Sequence, residues 1–104
     1  MGGCNMSENK ELQFLGTVSP KLYRYVVAEL EREFHIQSYD FKAGAIKEDG
    51  GLRVIIQFGE HFTHQTEEFF SDKQIEVLSE EIRSYIHKTG ENCKEVMIDD
   101  YFKR

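Results

Sequence analysis

At 104 residues the chain has the size of one domain folded around one core, and 39% hydrophobic with 31% charged residues fits a soluble globular protein and excludes the disordered regime. A formal net charge of −6, with thirteen Lys and Arg scattered along the chain, argues against duplex nucleic acid or an anionic membrane as partner, because either needs a concentrated basic face. No apolar run nears the roughly 20 residues of a membrane helix, and Cys4 and Cys93 form no CxxC and no disulfide framework, so a reducing, cytoplasmic setting is expected.

Met1 to Lys10 is polar and Gly-rich and reads as a disordered leader. Gly2 and Cys4 suggest lipidation, but the myristoylation pattern wants Ser or Thr where Met6 stands. Met6 is itself a candidate start. Gly2-Gly3 can be encoded by a stretch resembling a bacterial ribosome-binding sequence, spaced to suit initiation at Met6, which points to a bacterial origin. From Leu12 to Val18 the pattern predicts a strand, with Leu12, Phe14 and Val18 on one face.

Ser19-Pro20 is a helix start, with Ser as N-cap and Pro at the first position, where a missing N–H costs nothing. Leu22, Tyr23, Val26, Val27, Leu30 and Phe34 recur at helical spacing, so the helix should run to about Phe34. Ile36 to Lys47 then predicts the first arm of a β-hairpin, with Tyr39, Phe41, Ala43 and Ala45 facing inward. Leu52, Val54, Ile56 and Phe58 do the same on the returning arm. A two-residue type I′ loop at Asp49-Gly50 sets Ala45 opposite Val54, Ala43 opposite Ile56 and Phe41 opposite Phe58; a loop at Gly50-Gly51 slides the partners but keeps the face. The opposite face carries Asp40, Lys42, Arg53 and Gln57, together with Gly44, Ile46 and Ile55. Two Ile beside a Gly are unusual on a fully solvated face, so it is the candidate partner surface, with Ile46, Ile55, Lys42 and Arg53 as contact residues.

His61 to Phe70 is polar at either parity and predicts an edge strand. Ser71 with Gln74 forms a capping box opening a second helix, with Ile75, Leu78, Ile82, Tyr85 and Ile86 as its buried stripe and Gly90 as its C′ residue. Glu95 to Phe102, around Val96, Met97 and Ile98, predicts a last strand, after which Lys103 and Arg104 fray. The order is therefore β-α-β-β-β-α-β. It implies an α+β fold with a mostly antiparallel sheet and two helices packed on one face, in a single domain over residues 11–102.

Chemistry-bearing clusters are few. His61 and His64, near Glu60, Glu67 and Glu68, have positions three apart, which point to opposite faces of a strand and do not share an ion, so no metal site is expected. His35 and His87 sit at helix ends, where a cation favours the dipole. Cys93 lies beside Lys94 but has no visible base, the pairs Glu80-Glu81 and Asp99-Asp100 diverge, and Gly50-Gly51 belongs to a strand turn rather than a phosphate loop. No cofactor and no catalytic residue is expected, and no feature requires an enzyme. The α-β-β-β-α portion from Pro20 to Lys88 resembles a double-stranded-RNA-binding domain in element order, although Ser71, Asp72, Lys73 and Gln74 stand where such domains carry basic residues. The leading expectation is a non-enzymatic protein–protein interaction or adaptor protein that forms a homodimer. A small-molecule or metal-binding domain, with room beside Ala43-Gly44-Ala45, is the alternative, and an RNA-binding module is the second.

Overall fold

The computed structural model describes residues 11–102, and their side chains as far as Asp99. The leader at Met1–Lys10, with Cys4 and the alternative start at Met6, lies outside them, as do Lys103 and Arg104. The described chain is an α+β fold: a four-stranded antiparallel sheet in the order β1-β2-β3-β4, with helices packed against it. Its elements are β1 (Gln13–Phe14), α1 (Leu15–Val18), α2 (Pro20–Phe34), β2 (Phe41–Glu48), β3 (Gly51–Phe58), β4 (His64–Ser71), α3 (Asp72–Val77) and α4 (Glu80–Phe102).

The strand expected over Leu12–Val18 shrinks to β1, and Leu15–Val18 turns as a helix. Burial is the reason. The turn brings Leu15 to 0% exposure, whereas Leu12 and Phe14, expected on one face of the strand with Val18, are 46% and 55% exposed. Phe14 folds back across Gly16, where a Cβ would lie 2.4 Å from its ring, and meets Tyr23 edge-on at 4.9 Å. The helix from Pro20 to Phe34 forms as expected, with Ser19 Oγ accepting from the Leu22 N–H. It ends on His35 in the left-handed region, with the His35 N–H donating to Glu31 O and the Ile36 N–H to Leu30 O.

The first hairpin arm begins at Phe41, not at Ile36. Ser38–Asp40 forms a 3-10 turn held by Asp40 Oδ2 accepting from the Gln37 N–H at 2.9 Å, which swings Tyr39 out to 78% exposure rather than onto the core face. Beyond it the register is the expected one: Phe41 opposite Phe58, Ala43 opposite Ile56, Ala45 opposite Val54. The loop is Asp49-Gly50, but positive φ occurs at Gly50 alone, so it is not the type I′ turn. Gly51 has no room for a side chain, since a Cβ would sit 2.1 Å from the Phe70 carbonyl oxygen of β4. That strand is an edge, as expected, but starts at His64 after a 3-10 turn at Glu60–Phe62.

The capping box at Ser71 and Gln74 is present in both directions. Yet the helix it opens stops after Val77, where Leu78 adopts φ 49° and ψ 63°. A new helix, α4, begins at Glu80 and runs through Gly90 to Phe102, so the last strand expected over Glu95–Phe102 is helical and Gly90 is interior. Two packing facts account for it. Phe34 of α2 presses on Gly90, 2.4 Å from where a Cβ would be, and Ile82, Ile86, Thr89, Cys93 and Met97 continue one helical stripe. Leu15, Leu22, Val26, Leu30, Ile82, Tyr85, Ile86 and Cys93 join Phe41, Ala43, Ala45, Leu52, Val54, Ile56, Phe58 and Phe70 in one core cluster. The helices therefore cover one face of the sheet.

Candidate interaction surface

Strand alternation fixes what lies opposite that core. With Ala43, Ala45, Val54, Ile56 and Phe70 inward, the side chains of Lys42, Ile46, Arg53, Ile55, Gln57, Glu67 and Phe69 point to the second face. The four expected contact residues thus share one surface, with Ile46 opposite Arg53 and Ile55 between Gly44 and Glu67. Ile55 stands outside the core cluster, yet is only 7% exposed. Its own neighbours shield it, so it forms the floor of this surface and has little area left to bury. Phe69, at 36%, has more.

The charges here are anchored on aromatic rings and on one another. Arg53 Nε donates to Glu48 Oε2 at 2.9 Å, its Nη1 lies 3.8 Å from Glu67 Oε2, and its guanidinium stands 5.9 Å from the Phe69 ring centroid. Lys42 Nζ sits 4.7 Å from the centroid of Phe62. Leu12 completes the surface: its Cδ1 is 2.8 Å from where a Gly44 Cβ would stand, so the missing side chain at Gly44 is what lets Leu12 lie on the sheet. Sequence reasoning missed Leu12, Phe62 and Phe69. Phe69 was legible, since it shares parity with Gln65 and Glu67; Leu12 is brought over Gly44 by the pairing of β1 with β2, and Phe62 reaches this face through a 3-10 turn that no periodicity announces.

Beside this face, at the open end of β2, is a cleft of about 310 Å³ lined by Leu12, Phe14, Tyr23, Phe41, Lys42 and Gly44, with Gln13, Ser38, Ala43 and Gln57. It exists because β1 pairs with β2 only at Gln13–Ala45 and Phe14–Gly44 before the chain leaves as α1. Ala43 and Gly44 line it as expected for a ligand site; Ala45, at 0% exposure, is closed off beneath β1.

Elsewhere several titratable groups have structural partners. His61 projects from the turn before β4 and lies 3.8 Å from Glu60, while His64 stacks on Phe58, and among the described residues no three His, Cys, Asp or Glu gather as a metal would require. Cys93 is buried on α4 with its Sγ 3.6 Å from Met97 Sδ, and burial pushes its thiol up to about 11, opposite to what a nucleophile needs. A tie that the sequence hid joins α2 to α4: buried Glu29 accepts from His87 Nε2 at 3.0 Å and pairs with Arg32. The signal available was a carboxylate at 29, inside the stripe of Leu22, Val26 and Leu30.

Comparison with family models, with curated proteins and with solved structures finds no match for this chain. No helix among the described residues is long and apolar enough to cross a membrane.

Proposed function

We propose that this chain is a non-enzymatic protein–protein interaction protein that works through the second face of its sheet, self-associating there as a homodimer. The observation that carries this reading is the asymmetry of the sheet. The helices cover one face, and the other presents Leu12, Ile46, Ile55 and Phe69 among the paired charges Arg53, Glu48 and Glu67. An apolar floor with a charged rim is the make-up of a contact surface.

Sedimentation equilibrium at about 100 μM, where a contact of roughly 5–6 kcal/mol is half-saturated, tests it. Phe69→Asp is the better variant than Ile55→Asp, because Ile55 is already shielded within the single chain and a charge there would strain the fold itself. A dimer that Phe69→Asp weakens at least about tenfold supports the proposal. A monomer at that concentration removes self-association.

The cleft beside Ala43 and Gly44 supports a second reading, a small-ligand site, since its volume is at the lower end of such pockets. A thermal-shift screen with metals and metabolites separates the two, and stabilisation that is lost in Gly44→Val would favour the ligand.

A further inference from the structure

We infer that the cleft at the open end of β2 receives an extended segment of a different protein, added as a short strand along Phe41–Ala43, with an acidic side chain against Lys42 and an apolar one in the cleft. The inference rests on the reading that this chain acts through protein contacts, and it names the chemistry of a partner at the border of the same surface.

Three observations converge. First, β1 covers only Ala45 and Gly44, so among the described residues the outer edge of β2 has no strand beside Phe41, Lys42 and Ala43. A strand edge presents unpaired N–H and C=O groups, which is the template for adding one more strand. Second, the space next to that edge is apolar: Leu12 and Phe14 border it while remaining 46% and 55% exposed, and Tyr23 and Phe41 supply two further aromatic walls. A pocket beside an edge is how strand addition gains side-chain specificity. Third, the charge is one-sided. In a chain of net charge −6, no carboxylate among the described residues lines the cleft, and Lys42 is the single cationic residue among them that does.

Charge also decides against a second copy as occupant. Two copies pairing antiparallel through so short an edge would be related by a twofold axis at Lys42, setting each Lys42 against its twin. Like charges directly opposite each other destabilise a pair of strands. An Asp or Glu in that position does the reverse.

The test is selection from displayed random peptides of about seven residues, enough to span the edge, on the full chain. Sequences enriched in Asp or Glu flanked by aromatic or β-branched residues are expected. A selected peptide should slow amide hydrogen exchange at Phe41 and Ala43, whose N–H groups point away from β3, and Lys42→Glu should weaken it about tenfold or more. Lys47→Glu, which makes the same change in net charge on the same strand outside the cleft, should leave it within about twofold. The inference is overturned if no acidic preference emerges, if Lys42→Glu and Lys47→Glu act alike, or if the outward amides of Phe41 and Ala43 are already protected in the chain alone. It falls separately from the dimer: peptides bound by a chain that stays monomeric leave the cleft standing without the sheet-face contact, and a dimer sensitive to Phe69→Asp with no acidic peptide selected does the opposite.

Discussion

Glu29 shows how a charge is kept inside a small fold. Burial alone would raise its carboxyl, but the hydrogen bond from His87 and the pairing with Arg32 outweigh burial and hold it below its ordinary value near 4.5. A depressed carboxyl contributes stability that is complete above the unfolded-state value and is lost as the pH falls through the folded one. Urea unfolding should therefore show stability declining below about pH 4.5, and Glu29→Gln should flatten that decline while lowering stability at neutral pH by about 1–3 kcal/mol. Tyr85 has the opposite sign. Burial, only partly offset by hydrogen bonds with Thr66 and Thr89, pushes its phenol from 10.0 up to about 12. The folded chain then holds the proton more tightly than the unfolded one, so this contribution is intact below about pH 10 and fades between about 10 and 12. Tyr85→Phe should remove that alkaline decline and cost about 1 kcal/mol at pH 7 through the unpaired hydroxyls, read by the same titration. Neither residue was legible as an ionic or polar centre from sequence, because each depends on a partner from another element: His87 on α4 for Glu29, Thr66 on β4 for Tyr85.

Among the elements, α4 departs most from its sequence pattern. Gly90 ahead of a short apolar run has the look of a helix stop followed by a strand. In the fold the stop lies twelve residues earlier at Leu78, and Gly90 is where the Phe34 ring of α2 packs against α4. A Gly inside a helix costs about 1 kcal/mol relative to Ala, so Gly90→Ala would stabilise a helix that stood alone. Here it should destabilise, because the new methyl meets the Phe34 ring; in a Phe34→Leu background, which frees that space, the same change should turn stabilising. A double-mutant cycle by thermal unfolding reads the reversal, and a Gly90→Ala effect of one sign in both backgrounds would refute the contact as the reason for the glycine. The hairpin is the contrasting case. Its inward face follows from two alternating arms without any long-range contact, and its register is that of the Asp49-Gly50 loop, one of the two that the sequence allows.

For the whole molecule the decisive property is one-sidedness in both packing and charge. Two copies that each carry −6 repel, so any self-association through the second sheet face should tighten as salt is raised from about 50 to about 500 mM and the repulsion is screened. An acidic peptide attracted to Lys42 should loosen over the same range, and sedimentation and peptide binding measured in parallel would expose the opposed slopes. Local pattern was enough for the α+β class, the capped helix from Pro20 to Phe34, the inward face of the hairpin and the membership of Lys42, Ile46, Arg53 and Ile55 in one face, because each follows from side-chain periodicity or a capping group within a few residues. Contacts between distant segments decided the rest. Leu15 displaced the expected strand by burying itself, Phe34 carried α4 through Gly90, Leu12 came to lie on Gly44, and the brevity of β1 opened the cleft beside Phe41. Helix and strand are close in free energy for short apolar runs, so the choice passes to whichever conformation the neighbouring elements allow to be buried.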